Sequence, residues 1–311
     1  MEIHYSHENL QIADPFVTIG IFDGVHTGHM AIINRLVSYS RECRGESVVI
    51  TFDPHPKLVL GDVGEGISYL STMDEKKALL AAAGTGHLVI MEFTREFSRV
   101  SAGEFVNDVL AAKLGTRHLV IGHDHHFGYR GAGNYSTVRE YAARAGIAVE
   151  QIEGIVSDGA VISSSRIRSA LASGRLNDAN RWLGYSYSLR GTVVRGRKIG
   201  RKLGFPTANI KPSDRYKLIP ANGVYAVEIR IEGMQLTGML SIGTNPTVSR
   251  DQGTRSVEVN IFDFDRDIYG SELEIVFRYR MRDEVKFSGR DELARQMRKD
   301  MDNALKLLGQ A

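Results

Sequence analysis

The chain has 311 residues, of which 42% are hydrophobic and 24% charged, with a formal net charge of +2 at pH 7. The composition is that of a globular protein, and the length suits two domains better than one. The near-neutral charge excludes a protein whose whole surface binds nucleic acid, and the single cysteine, Cys43, excludes an internal disulfide. Neither a membrane-length apolar stretch nor a signal-peptide pattern occurs, so we expect a cytoplasmic protein without a membrane partner.

Residues 20–29, with the sequence GIFDGVHTGH, follow a predicted strand over 16–22 and precede a helical pattern. His26 and His29 are three residues apart, so both lie on one side of the first helical turn. A helix N-terminus favours phosphate, and two imidazoles beside it can stabilise the charge that develops in phosphate transfer. Gly24 permits close approach of a ligand to the backbone. The alternative is a tight strand–helix turn with two solvated histidines.

Strand and helix patterns alternate through residues 14–184. The second of two helical stretches begins with a capping box formed by Ser101 and Glu104. Such alternation predicts a parallel sheet covered by helices, in which ligands bind at the carboxyl ends of the strands. The predicted strands cover 16–22, 48–52, 87–93, 118–121 and 147–152, and the two predicted helices cover 73–83 and 101–114.

Two loops follow predicted strands of this sheet. In 51–56, TFDPHP, two prolines stiffen the chain and the rings of Phe52 and His55 can stack on a ligand, although a rigid structural loop explains the segment equally well. In 122–128, GHDHHFG, three histidines suggest zinc, but positions so close in a loop rarely converge on one metal. Asp124 is the better candidate there, as a hydrogen-bond acceptor or an outer partner of a bound cation.

The segment 163–171, SSSRIRSAL, predicts a second helix N-terminus. Arg166 and Arg168 lie near its start, where the helix dipole disfavours cations. An anionic ligand removes that conflict, because arginine and backbone N–H groups then bind the same phosphate. The alternative is a surface helix with two solvated arginines. The stretch 93–106 is interpreted as mainly structural.

Short alternating strands replace this pattern in residues 187–281. Predicted strands over 224–231 and 235–242 flank a hairpin connection at 232–234. Period-two alternation over several strands predicts a small antiparallel barrel, followed by an amphipathic helix over 291–308.

A basic, glycine-punctuated loop opens this second half, at residues 195–204. It does not have the Walker A pattern, but its composition suits a polyphosphate. An RNA-binding surface is an equally good interpretation of the loop alone. Its basic residues are Arg195, Arg197, Lys198, Arg201 and Lys202, and its glycines are Gly196, Gly200 and Gly204.

Three oxygen-bearing side chains follow the loop. Thr207 and Asn209 alternate, so on an extended chain they point the same way and can bind Mg²⁺. Glu258 lies on a later strand and can accept a proton from a substrate hydroxyl. From sequence alone, a solvated glutamate is the simpler interpretation of Glu258.

The first half resembles the adenylyltransferase module of bacterial bifunctional riboflavin kinase/FAD synthetases. The resemblance implies that His26 and His29 bind ATP phosphates and stabilise the transition state, and that the flavin lies at Phe52, Asp53 and Pro54. Ser165 stands where threonine is usual, and His125 where an aromatic or apolar residue is expected. The other implied ATP-site residues are Gly20, Phe22, Asp23, Gly24, Asp124, Ser164, Ser165, Arg166 and Arg168.

The second half resembles riboflavin kinases through GRKLGFPTAN, NGVYAV, SIGTNPTV, VEVNIFDFDRDIYG and RDEVKFSG. The resemblance implies that Thr207 and Asn209 contact ATP and Mg²⁺ and that Glu258 activates the ribityl 5′-hydroxyl. It also implies a phosphate loop and a flavin-side flap. The phosphate loop contains Gly196, Lys198, Gly200 and Gly204, and the flap contains Arg282, Glu284 and Phe287.

The sequence therefore predicts a Rossmann-like α/β nucleotidyltransferase domain at 1–184 and a riboflavin-kinase-like antiparallel barrel with a terminal helix at 185–311. We expect ATP-dependent phosphorylation of riboflavin to FMN, then AMP transfer from ATP to FMN, giving FAD and pyrophosphate. The partners are ATP, riboflavin, FMN and Mg²⁺, without nucleic acid. One alternative is a nucleic-acid-binding protein that uses residues 195–202. Another is an adenylyltransferase for a different acceptor, such as a nicotinamide or pantetheine phosphate, which leaves the second half unexplained.

Overall fold

A computed structural model of the chain describes residues 1–61, 68–196, 204–244 and 255–309. The chain divides into two compact units, Met1–Ser164 and Ser165–Ala311. The predicted domain boundary after residue 184 lies further along the chain and stays a prediction. Within the described ranges, no helix combines the length and the apolarity needed to cross a bilayer.

The first unit contains a six-stranded parallel sheet in the order β1-β4-β3-β2-β5-β6. All five residues of β2 are buried, as expected for a central parallel strand covered on both faces. The strands are β1 (Glu2–His4), β2 (Pro15–Ile19), β3 (Glu46–Asp53), β4 (His87–Glu92), β5 (His118–Gly122) and β6 (Ala148–Ile152); a small hairpin adds β7 (Val156–Ser157) and β8 (Ala160–Val161).

Helices cover both faces of this sheet. Alternate residues of β2 serve two cores: Val17 packs in the cluster that contains Leu110, and Phe16 in the cluster that contains Leu36. The helices of this unit are α1 (Thr27–Glu42), α2 (Pro56–Leu60), α3 (Met73–Ala82), α4 (Ala102–Glu104), which continues as a π-helix (Phe105–Lys113), and α5 (Tyr135–Arg144), with 3-10 turns at Phe97–Arg99 and Tyr129–Gly131.

The strand order reverses at β2, which pairs with β3 on one side and β5 on the other. In open α/β sheets, ligands bind outside the carboxyl ends of the strands at such a reversal. The loops after β2 and β5 begin there, and they carry the histidine motif and Asp124. The fold thus places two predicted parts of the adenylyltransferase site at one edge of the sheet.

The second unit contains a closed six-stranded antiparallel barrel in the order β10-β13-β12-β11-β14-β9. Glu232 and Gly233, with φ of 50° and 78°, form the two-residue connection of its central hairpin. The elements are α6 (Ser164–Ala172), which begins at the unit boundary, α7 (Leu176–Leu183), β9 (Ser188–Val194), β10 (Ala208–Pro212), β11 (Gly223–Ile231), β12 (Met234–Thr244), β13 (Arg255–Ile261), β14 (Glu272–Arg282) and α8 (Arg290–Leu307).

The predicted terminal helix packs on the barrel as α8. Ala304 is fully buried, and Met297 and Met301 lie against the barrel residues Phe205 and Met239. Burial of this apolar stripe explains why a helix with a charged outer face is stable here. The predicted fold class, a parallel α/β sheet followed by a small antiparallel barrel and a helix, is confirmed.

Two local predictions differ from the structure, and one short strand was not predicted. The strand predicted over 16–22 ends at Ile19, because Phe22 and Val25 take positive φ values of 48° and 37°. The helix predicted over 101–114 keeps the capping box at Ser101 and Glu104 but becomes a π-helix after its first turn. β1 was not predicted, since three residues are too few for a periodic pattern.

Candidate functional site

The two motif histidines stack at the start of α1. Their ring centroids are 3.6 Å apart with an interplanar angle of 17°. His26 caps the helix, because its Nδ1 accepts the backbone N–H of His29 at 3.3 Å. The Nδ1 atom of His29 is buried and has no hydrogen-bond partner among the described residues. Burial, together with the nearby His26 and Lys76, holds the pKa of His29 well below its ordinary value, so the ring is neutral at pH 7.

The turn before α1 is held by Asp23. Its Oδ1 accepts the backbone N–H groups of Leu70 at 2.8 Å and Ser71 at 3.1 Å, and the Ser71 hydroxyl accepts the N–H of Gly24 at 2.9 Å. Gly24 has a φ of 81°, a conformation that favours glycine. The Asp23 carboxylate thus fixes the turn that presents the histidines. Its predicted contact with ATP stays a prediction.

Lys76, on α3, is a member of this site that the sequence did not single out. Its side chain is buried, and its Nζ donates to the Thr51 hydroxyl at 3.3 Å. Burial lowers its pKa to about 8, while Asp23 and Asp53 act in the opposite direction. A buried ammonium group that also influences His29 is a candidate for binding anionic phosphate. The available signal was its position one helical turn before the core residue Leu80.

Phe52, the residue before the end of β3, lies in a cluster of aromatic rings. Its ring centroid is 5.8 Å from that of Phe93 and 5.5 Å from that of Phe97. Asp53 and Pro54, the next two predicted flavin-site residues, are exposed. The cluster forms at the carboxyl ends of β3 and β4, and it gives the segment 93–106 the structural role that the sequence predicted.

The histidines in the loop after β5 lie in different environments. His125 is half-buried beside Phe127, with ring centroids 5.5 Å apart and its Nε2 atom buried, and desolvation lowers its pKa to about 4. It is therefore a neutral ring in a position where an aromatic or apolar residue was expected. Asp124 is exposed, and its carbonyl oxygen lies 2.9 Å from the Nδ1 of His126. Among the described residues, His123, His125 and His126 do not belong to a cluster that could ligate one ion.

The serine–arginine segment begins α6. The hydroxyl of Ser164 donates to the carbonyl oxygen of Asp23 at 2.9 Å, which joins the segment to the turn before α1. Ser165, Arg166 and Arg168 fall in the second unit. The Arg166 guanidinium lies 4.1 Å from the centre of the Trp182 ring, and Arg168 donates to the Ser165 hydroxyl at 3.0 Å. Both contacts orient the arginines, whose roles toward triphosphate stay predictions.

The three oxygen-bearing side chains of the second half meet on the barrel. Asn209 on β10 lies directly opposite Glu258 on β13, and the Thr207 hydroxyl donates to the Glu258 carboxylate at 3.4 Å. A Cβ at Gly196 would collide with the Asn209 amide, so a glycine is needed there. Gly204 has a φ of 85°. Lys198 and Gly200, two predicted phosphate-loop residues, lie outside the described residues.

A cleft opens beside Thr207, with an empty volume of about 490 Å³ that includes its mouth. Its walls are mostly apolar, with Thr207, Arg266 and Asp267 as polar members, as in many small-ligand sites. Residues 264–269, which carry no site role predicted from the sequence, form one side of the cleft. Its lining includes Pro206, Thr207, Val259, Phe264, Arg266 and Tyr269.

One side chain of the predicted flavin-side flap, that of Arg282, is held in an ion pair. Arg282 makes a two-pronged ion pair with the buried Asp300 of α8, at 3.0 Å from Nε and 2.6 Å from an Nη. Its guanidinium also lies 6.0 Å from the Phe287 ring. Glu284 is exposed, and the Asn222 amide donates to it at 3.5 Å. The flavin contacts of these residues stay predictions.

Stacked histidines at a helix N-terminus in one unit and an all-oxygen trio in the other define a two-domain transferase that acts on nucleotides. The chain matches the FAD synthetase family over residues 9–166 and the riboflavin kinase family over residues 183–308. It belongs to the family of bifunctional riboflavin kinase/FMN adenylyltransferases, the enzymes of flavin cofactor synthesis.

Relatives match over most of their length. The bifunctional riboflavin kinase/FMN adenylyltransferase of Listeria monocytogenes is 41% identical over 91% of this chain and 89% of its own. The Bacillus subtilis enzyme of that name is 34% identical over 98% of this chain and 97% of its own. A crystal structure of a Streptococcus pneumoniae protein described as a macrolide-efflux protein superposes with a TM-score of 0.87 at 30% identity, over 96% of each chain. The architecture of both units therefore occurs together in an experimental structure.

Proposed function

We propose that the barrel transfers the terminal phosphoryl group of ATP to riboflavin, giving FMN, and that the first unit transfers AMP from a second ATP to FMN, giving FAD and pyrophosphate. The observation that carries this division is the presence of two chemically different phosphate-handling groups. One is the stacked pair of His26 and His29, and the other is the trio of Thr207, Asn209 and Glu258.

In the adenylyl transfer, a phosphate oxygen of FMN attacks the α-phosphorus of ATP, and pyrophosphate leaves. The positive end of the α1 dipole and the two imidazoles stabilise phosphate oxygens as negative charge develops on them. His29 enters this step as a neutral ring, since burial lowers its pKa, and a bound triphosphate raises that pKa again. Lys76 adds positive charge beside it. No covalent enzyme intermediate is required, because positioning and charge stabilisation suffice.

In the kinase step, Glu258 accepts the proton of the riboflavin 5′-hydroxyl as that oxygen attacks the γ-phosphorus. The hydrogen bond from Thr207 holds the carboxylate in place. The donor set fits Mg²⁺, because a hydroxyl and an amide oxygen beside a carboxylate are all hard ligands. Thr207 and Asn209 would hold the ion, which would neutralise charge on the phosphates. The cleft beside Thr207 takes the adenosine part of ATP.

The substrates and the location complete the proposal. ATP, riboflavin and FMN are the partners, and neither nucleic acid nor a membrane takes part. The enzyme works in the cytoplasm, where its exposed free thiol, Cys43, stays reduced.

A time course with purified protein, riboflavin, ATP and Mg²⁺ tests the proposal, with chromatography of the flavins. We expect FMN to appear first and FAD to follow, with both products absent when ATP is omitted. Formation of neither flavin would overturn the proposal. FMN without FAD would overturn its adenylyl half and favour another acceptor for the first unit. Filter binding of RNA at two salt concentrations tests the nucleic-acid alternative, which requires tight, steeply salt-dependent binding.

A further inference from the structure

A separate cluster of ionisable side chains lies at one edge of the parallel sheet. Glu2 and His4 come from the edge strand β1, and His87 begins the adjacent strand β4. Glu2 is in register with His87, and His4 is two residues further along β1, so the three side chains share one face of the sheet. They lie at the amino end of β4, whereas the adenylyltransferase residues follow the carboxyl ends of the strands.

The three ligand-type atoms are close enough to bind one ion. Nε2 of His4 lies 3.1 Å from Nδ1 of His87, and the Glu2 carboxylate oxygen lies 3.9 Å and 3.7 Å from these nitrogens. Ligands that surround a zinc ion tetrahedrally at about 2.0–2.1 Å are about 3.3 Å from one another. Shifts of a few tenths of an ångström therefore convert this cluster into three corners of such a tetrahedron.

A fourth side chain, that of Glu46, orients His87 as a metal ligand. The outer nitrogen of His87, Nε2, lies 3.5 Å from a carboxylate oxygen of Glu46, and the same oxygen accepts the backbone N–H of Ala13 at 2.8 Å. A carboxylate behind a metal-binding histidine keeps the proton on the outer nitrogen and leaves the inner lone pair free. Here that lone pair belongs to Nδ1, the atom that faces His4 and Glu2.

We propose that Glu2, His4 and His87 bind a transition-metal dication, zinc above all, with Glu46 as the outer partner of His87. Two imidazoles and one carboxylate favour Zn²⁺ over the harder Mg²⁺ and Ca²⁺. His87 is almost buried and Glu2 is exposed, so the ion has a fixed inner ligand and a fourth position open to water. The bound ion fastens the three-residue strand β1 to the sheet. The inference does not depend on the proposed function.

Calorimetric titration of the metal-free full chain with Zn²⁺, without a histidine tag, tests the site. We expect one tight ion per chain and an increase in the melting temperature with Zn²⁺. His4→Ala and His87→Ala each weaken zinc binding by about 100-fold or more. Glu46→Gln weakens it by about 10-fold, because the carboxylate that orients His87 is lost. Co²⁺ in place of Zn²⁺ supplies a visible spectrum that reports coordination independently of the fold.

Two controls keep the result specific. His7→Ala removes a nearby histidine that also pairs with a carboxylate, Glu8 at 3.3 Å, and leaves zinc binding unchanged. His123→Ala combined with His126→Ala tests the loop histidines and also leaves it unchanged. Absence of zinc binding, unchanged affinity in both His4→Ala and His87→Ala, or loss of binding in the loop variant would overturn the site. The circular dichroism spectrum of each metal-free variant separates lost binding from lost folding.

Discussion

The two proposed phosphate sites contain different chemical groups. All 10 histidines of the chain lie in the first unit, where two of them stack at a helix N-terminus, whereas the second unit uses a hydroxyl, an amide and a carboxylate. The first group sits in one short sequence window and is largely buried. The second group joins two strands about fifty positions apart on a barrel surface. Negative charge on phosphate can thus be offset in two ways. One is a buried site with imidazole rings and an ammonium group, and the other is a hard cation held by oxygen ligands.

Replacement of both motif histidines is expected to have the largest effect. In His26→Ala/His29→Ala, FAD formation falls by about 10³-fold or more, because the transition-state charge loses two donors. FMN formation stays within twofold. The measurement is the initial rate of each step, with His123→Ala as the matched control for an exposed histidine. Loss of both activities from a folded variant would show that the two sites are not independent.

The reverse variant tests the second site. Glu258→Gln keeps the size of the side chain but removes the proton acceptor, so FMN formation falls by about 10²–10⁴-fold. FAD formation from supplied FMN does not change. Glu228→Gln is the control, since Glu228 is another barrel carboxylate and pairs with Arg278 at 3.3 Å. A kinase rate close to that of the unmodified enzyme would remove Glu258 from the mechanism.

The variant Lys76→Met tests whether a buried positive charge contributes to FAD formation. We expect FAD formation to fall by about 10–100-fold, because one buried cation is lost near the phosphates. The pKa of Lys76 is about 8 in the folded protein, so its charge is present below pH 8 and lost above it. The kcat/KM for FAD formation therefore falls as the pH rises through about 8, and the variant does not show this decline.

The control for this lysine is its neighbour on α3. Lys77→Met removes a lysine that pairs with Asp74 at 3.2 Å at the surface, and it leaves both the rate and the pH profile unchanged. An identical high-pH decline in Lys76→Met would assign that decline to another group.

Arg282→Ala has the smallest expected effect on catalysis and separates two roles for the flap. Because the change leaves Asp300 buried without its cation, unfolding in urea should show a loss of about 3 kcal/mol. Arg278→Ala, which breaks an exposed pair, costs about 0.5 kcal/mol. If Arg282 also binds flavin, the KM for riboflavin rises as well. An unchanged KM with reduced stability would restrict Arg282 to holding α8.

The comparison also explains what the sequence could predict. The contiguous window 20–29 carries its own turn, helix start and histidine spacing, so the start of α1 and the placement of both histidines on one side of its first turn follow from local rules. Glu258 needed strand pairing to reach Asn209, and sequence alone favoured a solvated side chain. Lys76 was missed because it differs from Lys77 only in the face of the helix it occupies. Glu2 and His4 belong to an edge strand too short to leave a pattern, and only the pairing of that strand with β4 brings them beside His87.

His125 makes the first unit sensitive to acid in a way that the second unit is not. The ring takes up a proton with a pKa of about 4 while the chain is folded, but near 6.5 once the loop is released, so acidification between these values pulls the equilibrium toward release. The barrel has no imidazole to respond in the same way. At acidic pH, riboflavin phosphorylation should thus persist after FAD formation is lost, and FMN would accumulate.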